Sequence, residues 1–399
     1  TVLAAPGGGV DPADVAMNRP GAPGPGASPA EVADWWAKLT PEERYAVLAA
    51  NPEVIGAADG LPAEVRDEAN RALLISDLEA LELLESEGRL PADLQDTLDN
   101  ARAANEALGN LVIDPVTSEK VPPLLHVYDP DAFGGDGAVA IAYGNPDTAD
   151  NVATIVPGTT VKGTSITSDA NNAENVYTSA RVSDPKASAA AIIWIGYDSP
   201  EFDLSVANEG MAEAGGERLS DYVDGLNAAR EGGNAHMTVI GHSYGSTTVG
   251  HAAVGDGLAG VDEIVAVGSP GMGKGVDNAD DLGDAKVWSG NSSRDPVARL
   301  ADNGWVGLGT VNGGLGNDIA EDDFDAFRFR AEDVTRDGLP IGLAAPIIPI
   351  AAPMIDNFDG TNIADHSKYF NDGTESLHNI GHIVAGNDDQ VSSAEHTYD

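Results

Sequence analysis

The segment from His236 to Ser246, HMTVIGHSYGS, constrains this chain more than any other. An apolar run with strand character passes directly into Gly241-His242-Ser243-Tyr244-Gly245, and small residues of helical composition follow. A strand turns into a helix this sharply only where side chains are missing around the turn. Two glycines therefore flank a serine whose backbone is strained and whose hydroxyl is exposed. The helix after it aims its positive end at that hydroxyl, where developing negative charge is favoured. A Gly-X-Ser-X-Gly match arises readily in a chain with 47 glycines, and an ordinary turn serine is the alternative; the flanking strand and helix make Ser243 the candidate nucleophile.

The rest of the chain supplies a frame for such an elbow. After about Val121, short apolar runs bounded by Gly, Pro and Asp alternate with longer helical stretches, the pattern of a mostly parallel central sheet flanked by helices. Strands are expected at Leu124 to Tyr128, Val139 to Tyr143, Val152 to Val156, Ala190 to Ile195, Met237 to Ile240, Glu263 to Val267, Ala285 to Trp288 and Phe327 to Arg330. Before them the pattern is helical. Ser28 with Glu31 forms a capping signal ahead of Trp35, Trp36 and Leu39, Thr40-Pro41 opens a second helix, and Ala63 to Glu87 carries a broad apolar stripe. The expected organisation is a flexible Pro/Gly/Ala-rich segment over 1–28, an N-terminal helical region over 29–120 and a catalytic domain over 121–399. An apolar, Pro-rich insertion at 331–364 is read as a flap over an acyl pocket or as a surface packed on the helices.

A serine hydroxyl becomes a competent nucleophile when a histidine takes its proton and a carboxylate holds that histidine. In a strand–elbow–helix frame the chain order is serine, acid, histidine. Asp295 follows the strand ending near Trp288 and precedes Pro296, so its loop reaches the top of the sheet; Asp277, Asp280, Asp281 and Asp284 are rivals that precede that strand. Four histidines follow: His366, His378, His382 and His396. His366 lies in a loop before the final helix and is the expected base. His378 and His382 share a helix face without the glutamate of a metalloprotease helix, and His396 is close to the end. Two N–H donors are expected at the oxyanion: that of Tyr244, and that of Thr159 in VPGTT, with Thr160 behind it. The turn in Trp194 to Pro200 lines the cleft or simply ends a strand.

Composition narrows the function. With 65 acidic and 21 basic side chains the formal charge is -44, which disfavours nucleic acid and anionic membranes as partners. Cysteine is absent, so thiolate chemistry and disulfides are excluded. No apolar run reaches the ~20 residues of a membrane helix. The Asp, Asn and Gly cluster from Asn312 to Asp325 lacks the alternating ligand spacing of a calcium loop, and no metal or other cofactor is expected. The chain starts at Thr1 without a basic start and apolar block, which fits a leader already removed or a trimmed start; a secreted or cell-envelope location is expected over a cytoplasmic one.

The stretches from Trp35-Trp36 to Asn70 (including ANPEVIGAADGLPAEVRDEAN), VPGTT, WIGYDSP, GHSYGS, DPV and HSKYF together resemble an actinobacterial family of largely uncharacterised α/β-hydrolases with a helical N-terminal region. The resemblance implies the α/β-hydrolase fold and a Ser243, Asp295, His366 triad, but little about substrate. The expected function is cleavage of small-molecule or lipid carboxylic esters through an acyl-enzyme. An amidase or peptidase, a haloperoxidase- or lyase-type variant, and an idle binding module whose N-terminal helices dock a protein partner are the alternatives.

Overall fold

The computed structural model describes residues 11–201, 209–230, 232–255, 257–298, 315–332 and 363–394. Apart from its first two and last two residues, the expected insertion at 331–364 lies outside them, as do His396 and residues 1–10.

The helical region contains α1 (Pro12–Met17), α2 (Pro29–Ala37), α3 (Pro41–Ala50), α4 (Pro52–Ala57), α5 (Ala63–Ser86) and α6 (Gln95–Ala107). Helices α2 and α3 begin on full capping boxes, Ser28 with Glu31 and Thr40 with Glu43, each with proline in the first turn. Each box satisfies N–H groups the helix cannot, which sets where these helices start. Residues 11–28, expected to belong to a flexible segment, instead pack. Asp11 caps α1, Ala13 and Ala16 are buried, and the Trp35 indole N–H donates to the Ala16 carbonyl at 2.9 Å. Tryptophan burial supplies what the small residues lack.

A two-stranded ribbon, β1 (Val112–Ile113) with β2 (Lys120–Val121), leads into the main sheet. That sheet contains β3 (Leu124–Asp129), β4 (Ala138–Tyr143), β5 (Asn151–Val156), β6 (Ala189–Ile195), β7 (His236–His242), β8 (Glu263–Val267), β9 (Lys286–Gly290) and β10 (Phe327–Arg328). The spatial order is β10-β9-β8-β7-β5-β6-β4-β3; β4 runs antiparallel to both neighbours and the remaining pairs are parallel. Each strand expected from the sequence has its counterpart. Strand β7 extends two residues beyond Ile240, because Gly241 and His242 pair with Ala266 and Val267, so the turn begins only at Ser243. The short ribbon was not anticipated; two residues per strand leave no readable alternation.

Both faces of the sheet are covered, which is why its strands are continuous apolar runs. One face packs against α8 (Ile166–Ser183) and α11 (Glu375–Val384), the other against α9 (Gly210–Ala229) and α10 (Tyr244–Ala253). The single turn α7 (Ala132–Gly135) lies between β3 and β4. The N-terminal helices share the first of these cores through Leu74, Ala101 and Ala104. Polar side chains fasten the contact: Asp67 accepts from Leu125 N at 2.6 Å, Asn70 donates to Leu125 O at 3.0 Å and the Tyr128 hydroxyl donates to Asp77 at 2.9 Å. Among the described residues no helix is long and apolar enough to cross a membrane.

Candidate active site

Ser243 sits between β7 and α10 with φ 54 and ψ -131, a backbone conformation strained for any residue with a Cβ. The surroundings enforce it. Ser243 N donates to Val267 O at 3.0 Å, and the Ser246 hydroxyl reaches the Ser243 carbonyl at 2.6 Å and Ser269 Oγ at 2.7 Å. The flanking glycines are required by close approach: a Cβ on Gly241 would lie 2.5 Å from Ser246 Cα, and one on Gly245 2.2 Å from Val156 O. The local fold is therefore dictated by three small residues around one serine.

The loop after β5 lies directly against this serine, since a Cβ on Gly158 would fall 2.7 Å from Ser243 Cβ. Segment 197–200 holds that loop. Tyr197 donates to Pro157 O at 2.7 Å, Val161 N donates to Ser199 Oγ at 3.0 Å and Thr160 N to Pro200 O at 2.9 Å. Trp194 to Pro200 thus braces the loop. The Thr160 N–H is spent on this brace, which leaves Thr159 as the oxyanion candidate of the pair. Tyr244 stands at the first position of α10 and presents its N–H at the helix's positive end.

Asp295 is fully buried in the loop after β9. Its Oδ2 accepts from His366 Nδ1 at 2.8 Å and from the Tyr369 hydroxyl at 2.6 Å; its Oδ1 accepts from Val297 N at 2.8 Å and Ala298 N at 3.5 Å. Burial alone would raise this carboxyl. The charge and hydrogen bond of His366, with the Tyr369 and Val297 donors, outweigh burial and hold it below its ordinary value. The rivals Asp277, Asp280, Asp281 and Asp284 belong to the connection ahead of β9, around the turn Ala279–Leu282.

His366 lies on the turn Ile363–Ser367, and its ring centroid is 4.8 Å from that of His242, the residue before Ser243. The structure thus brings His366 to Asp295 and to the elbow. His378 and His382 lie instead on α11, with ring centroids 4.6 Å apart.

Three participants went unrecognised in the sequence. Gly268, at φ 57, leaves room for the acid and base: a Cβ there would be 2.8 Å from Asp295 Oδ2 and 2.9 Å from His366 Nδ1. Tyr369 and His242 each bond to the His366–Asp295 unit. The motif HSKYF contained Tyr369, but its partner stands 74 residues away and no local pattern announces it. Among the described residues, Glu209, Glu213 and His251 bring donor atoms within 4.8 Å of one another. Glu209 there already accepts from Lys274 N at 3.2 Å, and Lys274 Nζ is 3.8 Å away. The portion of the Asn312 to Asp325 stretch that is described, from Leu315 onward, contributes no such group.

An eight-stranded sheet with this order and a strained serine between its central strand and the next helix define the α/β-hydrolase fold. The chain is similar to uncharacterised actinobacterial proteins and to a family of this fold. Residues 131–304 match the family model described as alpha/beta hydrolase. An uncharacterised protein of Mycobacterium tuberculosis is 34% identical over 392 residues, taking in 91% of this chain and 56% of the relative. The chain therefore spans about half the length of these curated relatives. A further uncharacterised protein, of Mycobacterium bovis, is 38% identical over 82 residues, 21% of this chain and 30% of that one. Solved structures similar to it include the esterase LipW of Mycobacterium marinum, with TM-score 0.35 and 12% identity over 79% of this chain and 90% of that one. An esterase of Pyrobaculum calidifontis gives TM-score 0.34 and 13% identity over 77% and 97%.

Proposed function

We propose that the protein is a serine hydrolase that cleaves carboxylic esters, of small molecules or lipids, through an acyl-enzyme. The observation that carries this reading is the buried Asp295 carboxylate bonded at 2.8 Å to His366 Nδ1, beside a serine held at φ 54 on the elbow. In the reaction, His366 takes the Ser243 proton as the hydroxyl attacks the ester carbonyl. Asp295 keeps the Nδ1 proton in place and stabilises the imidazolium that forms. The oxyanion is met by the Tyr244 and Thr159 N–H groups. The alcohol leaves with the proton from His366, and water activated by the same base frees the acid.

The test is hydrolysis of p-nitrophenyl acetate, butyrate, octanoate and palmitate by wild type and Ser243→Ala, with fluorophosphonate labelling of both. Turnover and labelling in wild type, both lost in the variant, are expected. A wild type that neither turns over any ester nor labels would falsify the hydrolase reading.

A further inference from the structure

Two contacts among those that hold the turn carrying His366 lie directly beside the triad without being required by its chemistry. His242 Nε2 lies 2.8 Å from the carbonyl of His366 itself. A carbonyl only accepts, so Nε2 carries the proton. Burial, with the neighbouring His366, lowers His242 to about 4, so it acts at neutral pH as an uncharged donor. Three residues beyond His366, the Tyr369 hydroxyl uses both its capacities: it donates to Asp295 Oδ2 at 2.6 Å and accepts from Ser292 N at 3.0 Å. That oxygen also takes the His366 Nδ1 hydrogen bond, so base and tyrosine converge on one atom from one short segment. The rings pack as well, with centroids 5.9 Å apart for His242 and Tyr369 and 6.5 Å for His366 and Tyr369.

We propose that His242 and Tyr369 are positioning residues that clasp the base-bearing turn, His242 from the elbow and Tyr369 from the acid loop, and so fix the orientation of His366 toward Ser243. The inference rests on the hydrolase reading for its catalytic consequence, though not for its structural one. The His242 bond couples elbow and base directly: the residue before the nucleophile holds the backbone of the general base. The Tyr369 bond keeps Asp295 Oδ2 aimed at the imidazole, since the carboxylate has a donor on each side of the required direction. Loss of either bond leaves the three triad groups present but lets the ring swing, and a displacement of about 1 Å costs up to roughly 100-fold in rate.

Tyr369→Phe and His242→Leu remove one donor each while keeping bulk; His242→Gln places an amide N–H near the Nε2 position. With p-nitrophenyl butyrate, the first two are expected to lower kcat about tenfold with KM within about twofold, because orientation is lost and substrate binding is not. His242→Gln is expected to recover most of that loss, which a merely space-filling role for the ring does not predict. Thermal melts identify any variant that has lost its fold. Proton NMR supplies a readout independent of turnover: the His366 Nδ1 proton is expected as a low-field, slowly exchanging resonance in wild type, broadened away in Tyr369→Phe and His242→Leu. If wild type neither turns over any ester nor labels with the fluorophosphonate, yet the resonance is lost in both variants, the hydrolase reading fails and the clasp stands. If folded variants keep wild-type kcat and the same sharp resonance, the clasp is overturned.

Discussion

A buried carboxylate lies near each end of strands β8 and β9, and the two are shifted in opposite directions. Beyond their carboxyl ends Asp295 is fully buried yet held below its ordinary value, because His366, Tyr369 and the Val297 N–H all donate to it. At their amino ends Glu263 is 5% exposed and pushed up to about 7, because burial outweighs the single Trp288 indole N–H that donates to it at 2.5 Å. Burial is common to both; the neighbouring histidine and the number of donors set the direction of the shift. The carboxylate beside a histidine is surrounded with N–H and O–H groups, and the one away from it is left nearly bare.

The largest expected effect comes from emptying the first site of its charge. Asp295→Asn keeps the shape but presents an uncharged amide to His366, which disfavours the tautomer that accepts the serine proton. Under the triad reading kcat for p-nitrophenyl butyrate falls roughly 10⁴-fold, with fluorophosphonate labelling slowed alongside. A variant with near wild-type turnover breaks the comparison, since Asp295 would then be another structural carboxylate.

Gly268→Ala tests the same end without touching a charge. The added methyl enters at 2.8 Å from Asp295 Oδ2 and 2.9 Å from His366 Nδ1, on a backbone at φ 57 that already disfavours a side chain. The acid and base must separate, and the expected loss is about 100-fold in kcat with a measurable fall in melting temperature. An unchanged rate would mean that the His366–Asp295 contact is dispensable.

How much of this could be read from the sequence follows from the range of the interactions. The eight strands were legible because a sheet covered on both faces writes continuous apolar runs, and Ser243 because its turn is enforced by immediate neighbours. The pairing of Asp295 with His366 was expected from chain order and their places after strands. Tyr369, His242 and Gly268 escaped because their roles exist only once the 363–370 segment is laid across the ends of β7, β8 and β9. The packing of residues 11–28 escaped for a similar reason: Pro, Gly and Ala carry little apolar surface, and their order comes from Trp35 in the next helix. Glu263 looked like the polar start of a strand, and nothing nearby marks the indole that meets it from β9.

The smallest effect, and the one that isolates the other half of the comparison, is expected from Glu263→Gln. The folded value of about 7 lies above the ordinary carboxyl value of 4.5, so the group's stabilising contribution is fully present below about 4.5 and is lost as pH rises through 7. Above that range the wild type bears the cost of a poorly solvated charge, and the amide, which still accepts from Trp288, does not. Urea unfolding at pH 5 and pH 8 is therefore expected to find the variant close to wild type at the lower pH and more stable by about 2 kcal/mol at the higher, with esterase turnover unchanged at both. A gain of the same size at both values would place the benefit in packing rather than in charge. A loss at pH 8 would mean that the Glu263 carboxylate, like that of Asp295, is better solvated by its surroundings than one indole donor allows.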